Sequence, residues 1–143
     1  MEIRKHDFYR KEINSVGFAD AKLLDCSQEG SAFGDRYTTY RIGNFLLRIV
    51  REKGQEFVDI AFASEPQTFF QCDDVDVAMR WKSVKDVVEK LEPESLIGVL
   101  SRLSEHFLEI NLAFSEERMP FTKARIHRAA RARGEAFISH IRN

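Results

Sequence analysis

Between residues 36 and 63 apolar and polar side chains alternate with the two-residue period of half-buried strands, and turn chemistry interrupts the alternation twice, at Gly43-Asn44 and at Lys53-Gly54. The pattern predicts three antiparallel strands, at residues 36–42, 45–51 and 55–63. With two-residue loops Ile42 must face Phe45 and Glu52 must face Gln55, so the register of the whole meander follows. One face then collects Thr38, Tyr40 and Ile42, then Phe45, Leu47 and Ile49, then Val58, Ile60 and Phe62, which is a core face. The same register sets Arg48 against Asp59 and Arg51 against Glu56, opposite-charge pairs worth roughly 0.2–1 kcal/mol each. The other face, which includes Tyr37, Leu46, Val50 and Phe57, is mixed, so either a helix covers part of it or it contacts a partner, the first being favoured.

Beyond the meander the period becomes helical. Asp73 or Asp74 can cap a short helix running through Val75, Ala78 and Met79 to Trp81, and Ser83 can start another that ends near Leu91. Pro93 is a favoured first helical residue, and Leu96, Val99, Leu100, Leu103, Phe107, Ile110 and Phe114 continue from it in i, i+3, i+4, i+7 order as one long core-facing helix. Residues 115–120 read as a break. A last helix begins at Phe121 or Thr122; its Arg125, Arg128 and Arg131 share one stripe roughly opposite Ile126, Ala129, Ala130, Phe137 and Ile141, with Arg133 inside the apolar side. Gly134 weakens it by up to ~1 kcal/mol and marks 137–143 as a candidate separate turn. In the N-terminal part, Phe8, Ile13, Val16 and Phe18 predict a helix, 19–25 a short element and 27–35 a loop. The chain therefore reads as a single α+β domain over 1–143, a three-stranded antiparallel meander packed by N-terminal and C-terminal helices.

Composition adds limits. With 43 % hydrophobic residues and twelve Phe the chain is not disordered, and 31 % charged residues at a net charge of −1 describe a mixed surface. That total hides a segregation. Residues 118–143 hold seven basic side chains and a single acid, whereas 52–117 hold fifteen acids and six bases. No apolar run reaches the ~20 residues of a membrane span, and the first residues lack the apolar stretch of a secretory leader. Cys26 and Cys72 form neither a CxxC pair nor a disulfide framework, so a cytoplasmic protein with two reduced thiols is the expectation.

Candidate chemistry is sparse. The four histidines, 6, 106, 127 and 140, make no HExxH pattern; the acids at 73, 74 and 76 lack the glycine and distal glutamate of a calcium loop; and no glycine motif for a phosphate or dinucleotide occurs. No metal and no cofactor is expected. Cys72 is the best nucleophile by position, at the start of a helix, but Asp73 and Asp74 oppose its ionisation. His106 sits beside the apolar stripe, where a boundary histidine with a structural hydrogen bond is the ordinary reading. No catalytic residue is assigned, and the chain leans away from being an enzyme.

Two binding surfaces remain. Glu65, Phe69, Phe70, Asp73, Asp74 and Asp76 set aromatic anchors beside negative charge, a composition suited to a basic protein partner. Lys123, Arg125, Arg128 and Arg131 could instead contact nucleic-acid phosphates, an alternative that the near-neutral total charge disfavours.

The stretch Tyr37-Thr38-Thr39-Tyr40-Arg41-Ile42-Gly43, continued through Gln55-Glu56-Phe57-Val58-Asp59-Ile60-Ala61 and followed by helices, resembles the α+β build of small bacterial immunity-type proteins. The resemblance spans about residues 36–114 and is one of pattern. It implies a small, cytoplasmic, non-enzymatic protein whose charges mask a toxin domain.

Overall fold

A computed structural model describes residues 7–27 and 36–142. The expected loop at 27–35 falls, apart from Ser27, outside the described residues, as does the N-terminal segment with His6. The three expected strands form with the expected pairing: β2 (Arg36–Ile42), β3 (Phe45–Glu52) and β4 (Gln55–Phe62) match Ile42 to Phe45, Glu52 to Gln55, Arg48 to Asp59 and Arg51 to Glu56. Both turns have the backbone such short loops demand. Gly43 alone carries a positive φ in the first, as in type II′, and Lys53 and Gly54 both do in the second, as in type I′.

The sheet is wider than a three-stranded meander. Among the described residues it has five antiparallel strands in the order β1-β2-β3-β4-β5, with β1 (Lys22–Cys26) and β5 (Phe69–Gln71) at the edges. Neither edge strand carries a clear alternation: β1 is mostly exposed and its register shifts between Leu23 and Asp25, and β5 is only three residues long.

Helices pack against one face. α1 (Arg10–Ser15), α2 (Cys72–Ala78), α4 (Leu96–Glu105), α5 (Phe107–Ala113) and α6 (Met119–Arg142) send Ile13, Val75, Leu100, Leu103, Ile110, Ile126 and Ala129 into one cluster with the eight apolar core-face residues of the meander. α3 (Val84–Val88), capped by a reciprocal Ser83–Asp86 box, lies against α6. Aromatic packing fills the middle, where Phe62 stacks on Phe114 at 4.3 Å between ring centres and Phe45 meets Phe114 edge-on at 6.2 Å.

The single long helix predicted from Pro93 is two. Ser95 caps α4 through the Gly98 N–H, and the chain bends at His106 before α5 resumes with the same apolar stripe. The last helix starts two or three residues earlier than predicted and runs through Gly134 without a break. Asn111 of α5 clasps the β2–β3 turn: its Oδ1 accepts from the Asn44 N–H at 2.9 Å and its carbonyl accepts from Asn44 Nδ2 at 2.8 Å.

The two cross-strand charge pairs stand in register but do not close as ion pairs. Arg48 Nε instead donates to Thr39 Oγ1 at 2.9 Å, and its guanidinium lies 3.9 Å from the Phe69 ring centre and 4.9 Å from that of Tyr37. Arg48 and its flanking rings thus occupy the part of the mixed face around Thr39, where a covering helix or a partner contact is expected.

Candidate functional site

Because β5 stops at Gln71 and the chain turns directly into α2, the outer edge of β4 is covered only opposite Asp59, Ile60 and Ala61. Below that point a groove of about 660 Å³ opens along the edge of β4. Val50, Glu52, Glu56, Phe57, Val58 and Asp59 form its sheet side; the start of α2, Arg102 of α4 and the segment 90–94 form the other.

The helical wall is held by an alternating set of charges. Asp76, on the inward side of α2, is fully buried and accepts from Arg102 Nε at 2.9 Å and Nη2 at 2.8 Å, the fork-to-carboxylate geometry specific to arginine. Arg102 Nη1 also donates to Glu94, whose other oxygen accepts from Lys82 Nζ at 2.7 Å; Lys82 in turn lies 3.8 Å from Asp76. Burial pushes the Asp76 carboxyl up against the pull of Arg102. Burial acts upward on Glu94 too, but the hydrogen bonds from Arg102 and Lys82 outweigh it and hold that carboxyl below its ordinary range. Asp73, one turn of helix away, takes Lys90 Nζ at 3.0 and 3.2 Å and ties down the 90–94 segment, whose Leu91 is 99 % exposed.

α2 ends in a Schellman turn: Trp81 N–H returns to the Asp76 carbonyl at 2.9 Å and Arg80 N–H to that of Val77 at 3.0 Å. Arg80 occupies the left-handed position at φ 64°, where glycine is usual, which is why the expected extension of this helix to Trp81 fails. Trp81 then stacks on His106 at 4.6 Å, and both donate to Glu109. His106 is thus a boundary residue in a structural contact.

The six residues expected to form a partner surface do not share one. Asp73 and Asp76 line the groove. Asp74, 5 % exposed, turns to α6 and pairs with Arg133. Glu65 is bound by Lys123 at 2.5 Å, and Phe69 and Phe70 point to opposite faces of the sheet, Phe70 packing on Phe62 and His127. Of the alternative basic set, Lys123 is engaged by Glu65, Arg125 is half-buried, and Arg128 and Arg131 are exposed.

Sequence reasoning missed Glu52, Glu56, Asp59, Glu92 and Glu94 as neighbours. The available signal was the meander register, which puts Glu52, Glu56 and Asp59 on the two strands that border the groove. Asp59 is half-buried, has no cation within ion-pair distance among the described residues, and its carboxyl is raised by burial more than Arg48 lowers it.

Other chemistry is thin. Cys72 is buried, and that burial together with Asp76 pushes its thiol far from ionisation. No group of three or more His, Cys, Asp or Glu among the described residues is arranged to hold a metal. No helix among them is long and apolar enough to cross a membrane. A second cavity, about 440 Å³, lies beside Phe18, Ile42 and Phe107 with Asp20 as its only charged lining residue. Compared with family models, with curated proteins and with solved structures, the chain matches none.

Proposed function

We propose that the chain is a non-enzymatic, cytoplasmic protein-binding module whose acidic groove takes a basic segment of a partner protein, the role that the immunity-type pattern implies for masking a toxin domain. The supporting observation is the set Glu52, Glu56, Asp59 and Glu92 around one groove, none within ion-pair distance of a cation among the described residues. Carboxylates gathered without ion-pair partners of their own repel one another, and a cationic partner relieves that repulsion while steering its own approach.

The test is fluorescence anisotropy with a labelled lysine-rich peptide and an acidic peptide of equal length. The lysine-rich peptide is expected to bind with a strong salt dependence, and Glu56→Gln with Glu92→Gln to weaken it about tenfold, a loss of about 1.4 kcal/mol. Glu116→Gln with Glu117→Gln, outside the groove, should leave binding unchanged. Equal losses in both double variants, or no binding at low salt, would remove the groove from consideration.

The alternative, nucleic-acid association through α6, rests on the exposed Arg128 and Arg131, which have no ion-pair partner among the described residues. Three or four phosphate contacts give a log–log salt slope of about −3. A duplex-DNA titration with a low-micromolar Kd at ~0.15 M salt would favour it over the groove.

A further inference from the structure

The geometry points to strand addition: an extended segment of a partner protein, with basic residues at alternate positions, pairs with the free edge of β4 at residues 55–57, beyond the point where β5 turns into α2. This rests on the acidic-groove reading and states how the partner is held.

The backbone argument comes from the ladder. The two-residue turn at Lys53-Gly54 closes on the Glu52–Gln55 pair, which in such a hairpin exchanges both hydrogen bonds, and antiparallel pairs alternate thereafter. Gln55 and Phe57 therefore direct their N–H and C=O groups to β3. Glu56 and Val58 direct theirs outward, as Ile60 does towards Phe70 of β5, but the β4–β5 register brings Cys72 at the start of α2 opposite Val58, so Glu56 is the residue that offers both groups to the groove. No strand among the described residues pairs with that stretch, whose Gln55, Glu56 and Phe57 side chains are exposed. An edge with unsatisfied donors and acceptors is a template for another strand. The opposite edge of the sheet is a poorer one, because the irregularity between Leu23 and Asp25 interrupts β1.

Charge selects the occupant. Side chains of an added strand fall alternately on the two faces of the sheet. One set meets Glu52, Asp59 and the half-exposed Phe57; the other meets Glu56 and the 90–94 segment with Glu92. Lysine or arginine suits both sets. A second copy of this chain, presenting the same glutamates edge to edge, is repelled.

The experiment uses the full chain and three hexapeptides of alternating lysine and valine: a parent, and two N-methylated at opposite alternate positions so that each loses the amide donors of one edge. The parent is expected to bind and to slow hydrogen exchange at the Glu56 amide about tenfold or more. One methylated peptide should lose about tenfold in affinity and the other little. Glu56→Pro, which removes only an outward N–H from an edge strand, should lose more than Glu56→Gln does. If both methylated peptides bind like the parent, with the salt dependence of the groove intact, strand addition is wrong and the acidic-groove reading stands. If no peptide binds, both fall. Protection of the same amide in a self-associated protein without peptide would assign the edge to a second copy and overturn the proposal.

Discussion

Arg133 donates from Nε and Nη2 to the two carboxylate oxygens of buried Asp74, at 2.7 and 3.2 Å, and so fastens the last helix to the short helix that walls the groove. The salt bridge leaves Asp74 with no role at the surface. Removing the cation alone strands a buried carboxylate, whereas removing both groups strands nothing. Since Arg133 is itself 30 % exposed, Arg133→Met is expected to cost about 1–3 kcal/mol in urea unfolding, below the full buried-pair range. The double variant Asp74→Leu with Arg133→Met should recover much of that loss. A single variant as stable as Arg128→Met would show that the pair carries no weight.

The centre of the sheet was legible because two independent signals coincide there, side-chain alternation and turns whose residues accept positive φ. β1 was not, since Lys22, Leu23, Leu24 and Asp25 present no alternating face and a shift in register disrupts what there is. The break at His106 was hidden for the opposite reason: Leu103, Phe107 and Ile110 keep the apolar stripe continuous across a change in the backbone. The site was read in part. Asp73, Asp74 and Asp76 stand close in sequence but point in three helical directions, and which carboxylate turns inward depends on where Arg102 and Arg133 arrive from distant helices. Arg133 within an apolar stripe was the one local sign that a buried acid awaited it.

Arg80 is expected to be a stability defect. It holds a left-handed conformation at the C-terminal cap of α2, which costs a residue with a Cβ roughly 1–2 kcal/mol and glycine almost nothing. Arg80 forms no ion pair among the described residues. Arg80→Gly should therefore raise stability by about 1 kcal/mol, less what is lost through the greater freedom of the unfolded chain. Thermal unfolding at neutral pH checks it, and a lower midpoint would mean that the Arg80 side chain contributes more than its backbone costs.

Glu94 links pH to the integrity of the groove wall. Its carboxyl is held below the ordinary value near 4.5, so its contribution is complete above that pH and is lost as pH falls through the lower, folded-state value. Arg102, its pKa lowered by burial but raised more by the hydrogen bonds to Glu94 and Asp76, stays charged throughout, and Asp76, raised by burial, acts in the opposite sense but is present in both proteins compared. Glu94→Gln should cost about 1–2 kcal/mol at pH 7, discounted for its partial exposure, and the difference from wild type should shrink below about pH 4.5. A difference independent of pH would assign the loss to packing.

Asp59 distinguishes a groove built for binding from one that merely completes the fold. Its folded-state carboxyl is raised by burial, and in that case the neutral form is the one folding favours: the stability it contributes is full below the unfolded value near 3.8 and is lost as pH rises through the folded-state value. At neutral pH the ionised group is a liability, because Arg48, its partner in register, is committed to Thr39 and the rings of Tyr37 and Phe69. Asp59→Asn should therefore raise the unfolding midpoint at pH 7 by about 1–3 °C, with the gain fading as pH approaches 3.8. The same substitution should weaken the alternating lysine–valine peptide severalfold, because it removes the carboxylate facing one set of its side chains. Greater stability with poorer binding is the pattern of a residue kept for its site. Lower stability at pH 7 would show that Asp59 is satisfied within the fold, and unchanged peptide affinity would exclude it from the groove's recognition.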